Sequence, residues 1–167
     1  MQGHTVIVRP VRPEDAAQVR DNCFSMNTLR EVQQRIAGTI AAFEQGKGVQ
    51  LVAEVDGVVV GTATLMRNPH PLFAHRAEID SVVVHGGYQR QGIARRMVEE
   101  AGVRAASMGI EILEISCRAG EVPEKVYPRL GFIEYGRLPR GIVEPWGERR
   151  TFDQVFYYRP LERQSDG

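Results

Sequence analysis

The period of apolar positions changes several times along this chain, and each change marks a new element. Thr5-Val6-Ile7-Val8-Arg9-Pro10 is a β-branched run closed by proline, which reads as a strand. Pro13, Glu14 and Asp15 then place proline and two acids where a helix begins, at the positive end of its dipole. Thr28 and Glu31 form a capping box, and Leu29, Val32, Ile36, Ile40 and Phe43 fall on one face of the helix it opens. Gly46 and Gly48 stop that helix. Gln50–Val55 and Val58–Leu65 are β-branched runs separated by Asp56-Gly57, the pair that a tight type I′ turn prefers. After a loop over 67–76 with two prolines and two histidines, a strand over 77–85 ends in Val82-Val83-Val84.

From 91 to 108 the period becomes helical, with Ala94, Met97, Val98, Ala101, Ala105 and Met108 on one face. Gly109 ends it, and 110–117 reads as a strand. A short helix from Pro123 to Leu130 closes at Gly131, a natural residue beyond a helix end. Segments 132–137 and 151–161 are the last strands, with a loop rich in Pro and Gly over 138–150. The order β-α-α-β-β-β-α-β-α-β-β predicts one α+β domain over 1–167, its core about 5–161.

Composition narrows the class. A hydrophobic fraction of 43% and a charged fraction of 25% are those of a soluble globular protein. Lys plus Arg number 21 and Asp plus Glu number 21, so bulk charge favours neither nucleic acid nor an anionic membrane as partner. Cys23 and Cys117 match no metal-ligand or redox spacing, so no metal is expected and both thiols read as reduced and structural. Cys117 lining an active site is the other reading. No stretch approaches the roughly twenty apolar residues of a membrane span, and the N-terminus lacks the order of a signal peptide. A soluble cytoplasmic protein is the expectation.

Candidate chemistry begins where strand 77–85 meets helix 91–108. A helix N-terminus presents free N–H groups and a positive dipole end, an anion site if the residues there are small. Gly92 and Ala94 supply that smallness, and Gln89, Arg90 and Gln91 add donors and a positive charge. On these residues alone the segment is equally an ordinary strand-to-helix turn. A P-loop is excluded because no Gly-Lys-Ser/Thr follows.

In this setting Gln89-x-x-Gly92-x-Ala94, after Val82-Val83-Val84, resembles the cofactor motif of the GNAT superfamily of N-acetyltransferases. Tyr127-Pro128-Arg129-Leu130-Gly131-Phe132 is similar to that family's Tyr-x-x-Leu-Gly-Phe signature, and Val8-Arg9-Pro10 with Pro13-Glu14-Asp15 to its opening. The resemblance implies a mixed, mostly antiparallel central sheet flanked by helices. It implies acetyl-CoA as cosubstrate, its pyrophosphate on Gln89, Arg90, Gln91, Gly92, Ile93 and Ala94 and its pantetheine arm along Val82, Val83 and Val84. Many members carry Asn at the start of the short helix; Gly120 stands there and would offer only its backbone N–H.

Acetyl transfer to an amine needs a base for the amine, a donor for the oxyanion and an acid for the departing sulfur. The resemblance assigns Tyr127 as the acid; otherwise it is a packing tyrosine. Glu78, fourteen residues before Gly92, sits where the histone acetyltransferase branch carries its base. Strand alternation puts Glu78 and Asp80 on one face and His85 on the other, so Asp80 through a water is the next candidate base. A solvated pair of carboxylates at a strand end is the competing reading. The expected oxyanion donor is a backbone N–H in strand 77–85.

The favoured function is acetylation of a primary amine on a small molecule, by direct attack in a ternary complex. Acetylation of protein lysines or N-termini, and a non-catalytic acyl-CoA sensor, are the alternatives. The run Phe156-Tyr157-Tyr158 in the final strand is compatible with a homodimer and equally with a core-facing strand.

Overall fold

The computed structural model describes residues 3–162. Its strands are β1 (Val6–Pro10), β2 (Gly48–Val55), β3 (Val58–Arg67), β4 (Arg76–Val84), β5 (Ile112–Arg118), β6 (Ile133–Val143) and β7 (Thr151–Pro160). Its helices are α1 (Ala16–Cys23), α2 (Leu29–Glu44), α3 (Ile93–Ser107) and the single turn α4 (Pro123–Val126). The strands form one sheet in the order β1-β2-β3-β4-β5-β7-β6. Every neighbouring pair is antiparallel except β4 and β5, which run parallel on either side of the α3 crossover. A mixed, mostly antiparallel sheet flanked by helices is therefore what the chain builds.

Both faces of the sheet's first half are buried. Val49, Leu51, Ala53 and Val55 of β2 join Met97, Val98, Ala101 and Ala105 of α3 in the larger core cluster. Val52 and Val59 point the other way, onto Val19 of α1 and Val32 and Ile36 of α2. Burial on two faces explains why β2 and β3 read as continuous apolar runs rather than alternating ones. Between α2 and the sheet runs a buried polar chain, in which the Thr39 hydroxyl donates to Gln50 Oε1 (2.7 Å) and Gln50 Nε2 to Thr62 Oγ1 (3.1 Å).

Several boundaries differ from the sequence reading, each for a local reason. Asp56 and Gly57 both have positive φ, as a type I′ turn requires, but β2 begins earlier, at Gly48. Gly48 is no helix stop: a Cβ there would lie 2.3 Å from the Leu65 carbonyl oxygen, so it allows two strands to approach closely. The α2 stripe is buried only in its middle, at Val32 and Ile36, while Leu29 and Phe43 near the helix ends are exposed. Helix α3 starts at Ile93, since Gly92 adopts a left-handed conformation. The first part of the expected loop over 138–150 is strand: β6 continues to Val143 across an irregularity between Leu138 and Ile142, and only the stretch beyond it is loop. As the edge strand it tolerates Pro139, whose missing N–H faces no neighbour.

Two features of β4 create the site. Thr62 pairs with Val83 and Thr64 with Asp80, so β4 holds an extra residue, a bulge at which Ser81 has φ 51°. The bulge reverses the alternation. Ala77 and Ile79 face α3 before it, and Val82 and Val84 pack against that same cluster after it. The expected alternation through His85 therefore fails, and His85 lies beyond the strand with Nδ1 accepting the Gly87 N–H (3.1 Å). The second feature is that β4 and β5 pair only over Arg76–Ile79 and Ile112–Ile115 and then part. Each stays bonded to its outer neighbour, β4 to β3 as far as Val84 and β5 to β7 as far as Arg118, so the sheet opens as a wedge.

At the opposite edge Arg9 grips Asp15 with two hydrogen bonds of 2.8 Å and Glu54 with one of 3.0 Å, while the Arg12 N–H donates to Asp15 Oδ2 (2.7 Å). Burial alone would raise the Asp15 pKa, but these donors outweigh it and hold the carboxyl below its ordinary value of 3.8. A depressed carboxylate contributes stability that is present above the unfolded pKa and lost as pH falls through the folded one. Asp15→Asn should therefore cost about 3 kcal/mol in urea unfolding at neutral pH, and its stability should fall less steeply than the wild type's below about pH 4. Parallel acid limbs for the two proteins would contradict this.

Candidate functional site

The wedge leads to the turn between β4 and α3. Between β4 and α3 the chain passes through a short 3-10 turn (Gly86–Tyr88) and then places both Arg90 (φ 64°) and Gly92 (φ 76°) in the left-handed region. No side chain caps α3, and its first backbone bond is donated by Arg96 to the Gly92 carbonyl (3.1 Å). The N–H groups of Ile93, Ala94 and Arg95 thus have no helical partner and stand at the positive end of the dipole. A Cβ on Gly92 would meet nothing within 4 Å and would project into the open space above the turn. Arg90 and Arg95 supply cationic charge; Arg95 is partly tied to Glu99 (3.0 Å), and Arg90 has no ion pair among the described residues. These residues fit a diphosphate.

From that turn a cleft of about 480 Å³ runs along the wedge. Val82 and Val84 form one wall, Val122, Pro123 and Val126 of the α4 segment the other, and Tyr127 closes it. Tyr127 is buried, its ring held edge-on against Tyr157 (5.8 Å between centroids) and tilted against Phe132 (6.0 Å). Its hydroxyl has no hydrogen-bond partner among the described residues, although it lines the cleft. Burial, with Cys117 and Tyr157 beside it, pushes Tyr127 far above the ordinary tyrosine value, so it keeps its proton at any working pH. Burial likewise raises the Cys117 thiol to about 11, which leaves it protonated and a poor nucleophile.

The sheet face opposite α3 carries the charged groups. Glu78 and Asp80 share that face on β4, next to Glu114 of β5, which Arg76 grips at 3.0 Å through Nε. Partial desolvation raises the Glu78 pKa above its ordinary 4.5, and the negative charges of Asp80 and Glu114 add to the shift. Glu78 has no hydrogen bond or ion pair to another described residue, so its lone pairs are free. Asp80 instead lies 3.9 Å from the Arg35 guanidinium of α2. The far side of this face is bounded by the β6–β7 tip, where Glu144, itself buried, binds both Arg118 at the end of β5 and Arg150.

Of the residues singled out from sequence, Val82, Val84, Gln89, Arg90, Gly92, Ile93, Ala94 and Tyr127 line the cleft together. Five lie elsewhere: Glu78 and Asp80 sit on the sheet face opposite α3, outside the lining, and three more are displaced. The bulge turns Val83 to the α2 side, Gln91 is exposed outside the lining, and the Gly120 N–H is already given to Glu124 Oε2 (2.6 Å). Glu124, itself paired with Arg137, caps the segment from within. Tyr88, Arg95 and the apolar α4 wall were not foreseen. The spacing of Val122 and Val126 on one helical face was the available signal for the wall.

A family model described as the acetyltransferase (GNAT) family matches residues 14–132. Among solved structures, a GNAT-family acetyltransferase from Streptococcus pneumoniae superposes with a TM-score of 0.79 at 18% identity, over 95% of this chain and all of its own. A ribosomal-protein-alanine N-acetyltransferase from Brucella melitensis gives 0.76 at 24%, over 93% of this chain and 99% of its own. A phosphinothricin acetyltransferase from Sinorhizobium meliloti, solved with acetyl-CoA, gives 0.79 at 16%, over 97% and 95%. At these identities the superpositions establish the fold.

The turn's geometry makes a direct prediction. Gly92→Val should weaken binding of inorganic pyrophosphate at least about tenfold, roughly 1.4 kcal/mol, in calorimetric titration. Unchanged affinity would place the anion elsewhere.

Proposed function

Because the chain belongs to the acetyltransferase (GNAT) family, we propose that it moves an acetyl group from acetyl-CoA to a primary amine of a small molecule, by direct attack in a ternary complex. The observation that carries this reading is the wedge itself, with the uncapped α3 turn at its mouth and the unpartnered Tyr127 hydroxyl at its closed end. The diphosphate of acetyl-CoA lies on Gly92–Arg95, and its pantetheine arm runs along Val82 and Val84. The thioester then sits between the β4 bulge and Tyr127.

Glu78 takes the proton from the acceptor ammonium, directly or through water. The free amine attacks the thioester carbon; a C–N bond forms and the C–S bond breaks. Sulfur leaves as a thiolate stabilised by the Tyr127 hydroxyl. Since the Tyr127 pKa lies far above that of a thiol, its contribution is a hydrogen bond that strengthens as charge builds on sulfur; the second proton, shed by the nitrogen as the amide forms, ends on the departing thiolate and leaves Tyr127 protonated. Asp80 is the weaker candidate base because its carboxylate already faces the Arg35 guanidinium at 3.9 Å.

A small acceptor is favoured by the two walls around the charged face, the α1–α2 segment on one side and the pinned β6–β7 tip on the other. The exposed Glu78 supports a second reading, transfer to a lysine or N-terminus of a protein. A sensor without chemistry would have no use for a buried phenol directed into the cleft. Thiol release from acetyl-CoA across panels of small amines and of peptides separates the three: small-amine turnover is expected, peptide-only turnover would favour the second reading, and binding without turnover the third.

For the acid, Tyr127→Phe should lower kcat about a hundredfold while the KM for acetyl-CoA stays within about twofold. An unchanged kcat would remove Tyr127 from the mechanism.

A further inference from the structure

Helix α2 has a contact with β4 that the proposed reaction leaves unused. Arg35 Nη2 donates to Ser81 Oγ at 2.6 Å, the guanidinium lies 3.9 Å from Asp80 Oδ1, and its carbon sits 4.9 Å above the Phe24 ring in the α1–α2 connection. One side chain thus joins the segment flanking the acceptor face, the β4 bulge and the carboxylate next to Glu78. Helix α2 is held for this by Thr39, one turn further on, through its bond to buried Gln50.

We propose that Arg35 is a positioning residue for acetyl transfer, clamping the Ser81 bulge from α2 and compensating the Asp80 charge beside Glu78. The geometric half follows from strain. Ser81 is a non-glycine residue at φ 51°, a strained conformation that persists only where its surroundings enforce it. Arg35 is the hydrogen-bond partner of its side chain among the described residues. If the bulge relaxes, the alternation of β4 beyond it relaxes too, and with it the wall formed by Val82 and Val84. Misplacement on the order of 1 Å at a reacting centre costs up to about a hundredfold in rate.

The electrostatic half rests on the reading of Glu78 as base. The groups around Glu78 are Asp80 and Arg76 on its own strand, Glu114 of β5 and Tyr135 from β6, and Arg35 of α2 reaches Asp80. Arg76 is committed to Glu114 through two hydrogen bonds, so Arg35 is the cation set against Asp80. Without it the Asp80 charge acts on Glu78 undiminished, and Glu78 binds its proton more tightly.

The test combines steady-state kinetics with carbon-13 NMR titration of the Glu78 carboxyl, assigned with Glu78→Gln, on the full chain. Arg35→Ala should lower kcat at least about tenfold with the KM for acetyl-CoA little changed, and should raise the Glu78 midpoint by about 0.3 unit. Arg35→Lys should restore the midpoint but not the full kcat, because an ammonium keeps the charge and loses the planar contact with Phe24 and Ser81. Ser81→Ala should lower kcat and leave the midpoint where it is. Wild-type kcat and midpoint in Arg35→Ala would overturn the proposal. Should Glu78→Gln keep full activity, the base assignment falls by itself; the Arg35 arm is still decided, by kcat in Arg35→Ala and Ser81→Ala and by a midpoint read without turnover.

Discussion

Four residue pairs of parallel pairing, Arg76–Ile79 with Ile112–Ile115, hold the two halves of the sheet together, and beyond them the halves separate. That separation is stable because neither strand is left without a partner: β4 remains bonded to β3 and β5 to β7. Backbone groups on the inner edges then face a cleft rather than each other. Such an opening in a sheet is costly unless something else satisfies those groups, and an extended, amide-bearing ligand arm is well suited to do so. The larger core, with Met97 and Val98 of α3 on one side of the wedge and Tyr157 and Phe132 on the other, keeps it from collapsing.

The site's electrostatics are arranged around that opening. At the mouth, uncapped N–H groups and two arginines favour negative charge. At the closed end, burial keeps the Tyr127 hydroxyl protonated, and the Cys117 thiol beside it is protonated as well. On the far face a carboxylate with free lone pairs, Glu78, lies among groups that raise its proton affinity without neutralising it. A proton acceptor on one side of the reacting carbon and a proton donor on the other is what transfer from a thioester to an amine requires.

Much of this was legible in the sequence where local chemistry decides structure. The Thr28–Glu31 capping box, the Asp56-Gly57 turn and the amphipathic α3 all form as their residue types demand. The junction between β4 and α3 was legible as a turn with small residues at the helix start, and its reading as a cofactor turn came from the resemblance rather than from those residues alone. What escaped was non-local. Nothing in Ile79-Asp80-Ser81-Val82 announces a bulge, since the extra residue is defined only by register against Thr62 and Thr64. The Glu124 side chain that takes up the Gly120 N–H was not foreseen, and the extent of β6 was missed because an edge strand tolerates proline and glycine that a central strand would not. Arg35 reads as one more solvated position on α2 until tertiary contact brings it to Ser81.

The central claim is that acetyl-CoA occupies the wedge between β4 and β5, and amide hydrogen exchange tests it most directly. Saturating acetyl-CoA should slow exchange in residues 81–84 and at Ile93, Ala94 and Arg95, while β1 and the β2–β3 hairpin stay unchanged. Binding that leaves 81–84 exchanging at the free rate, or that protects a different surface, would contradict the account.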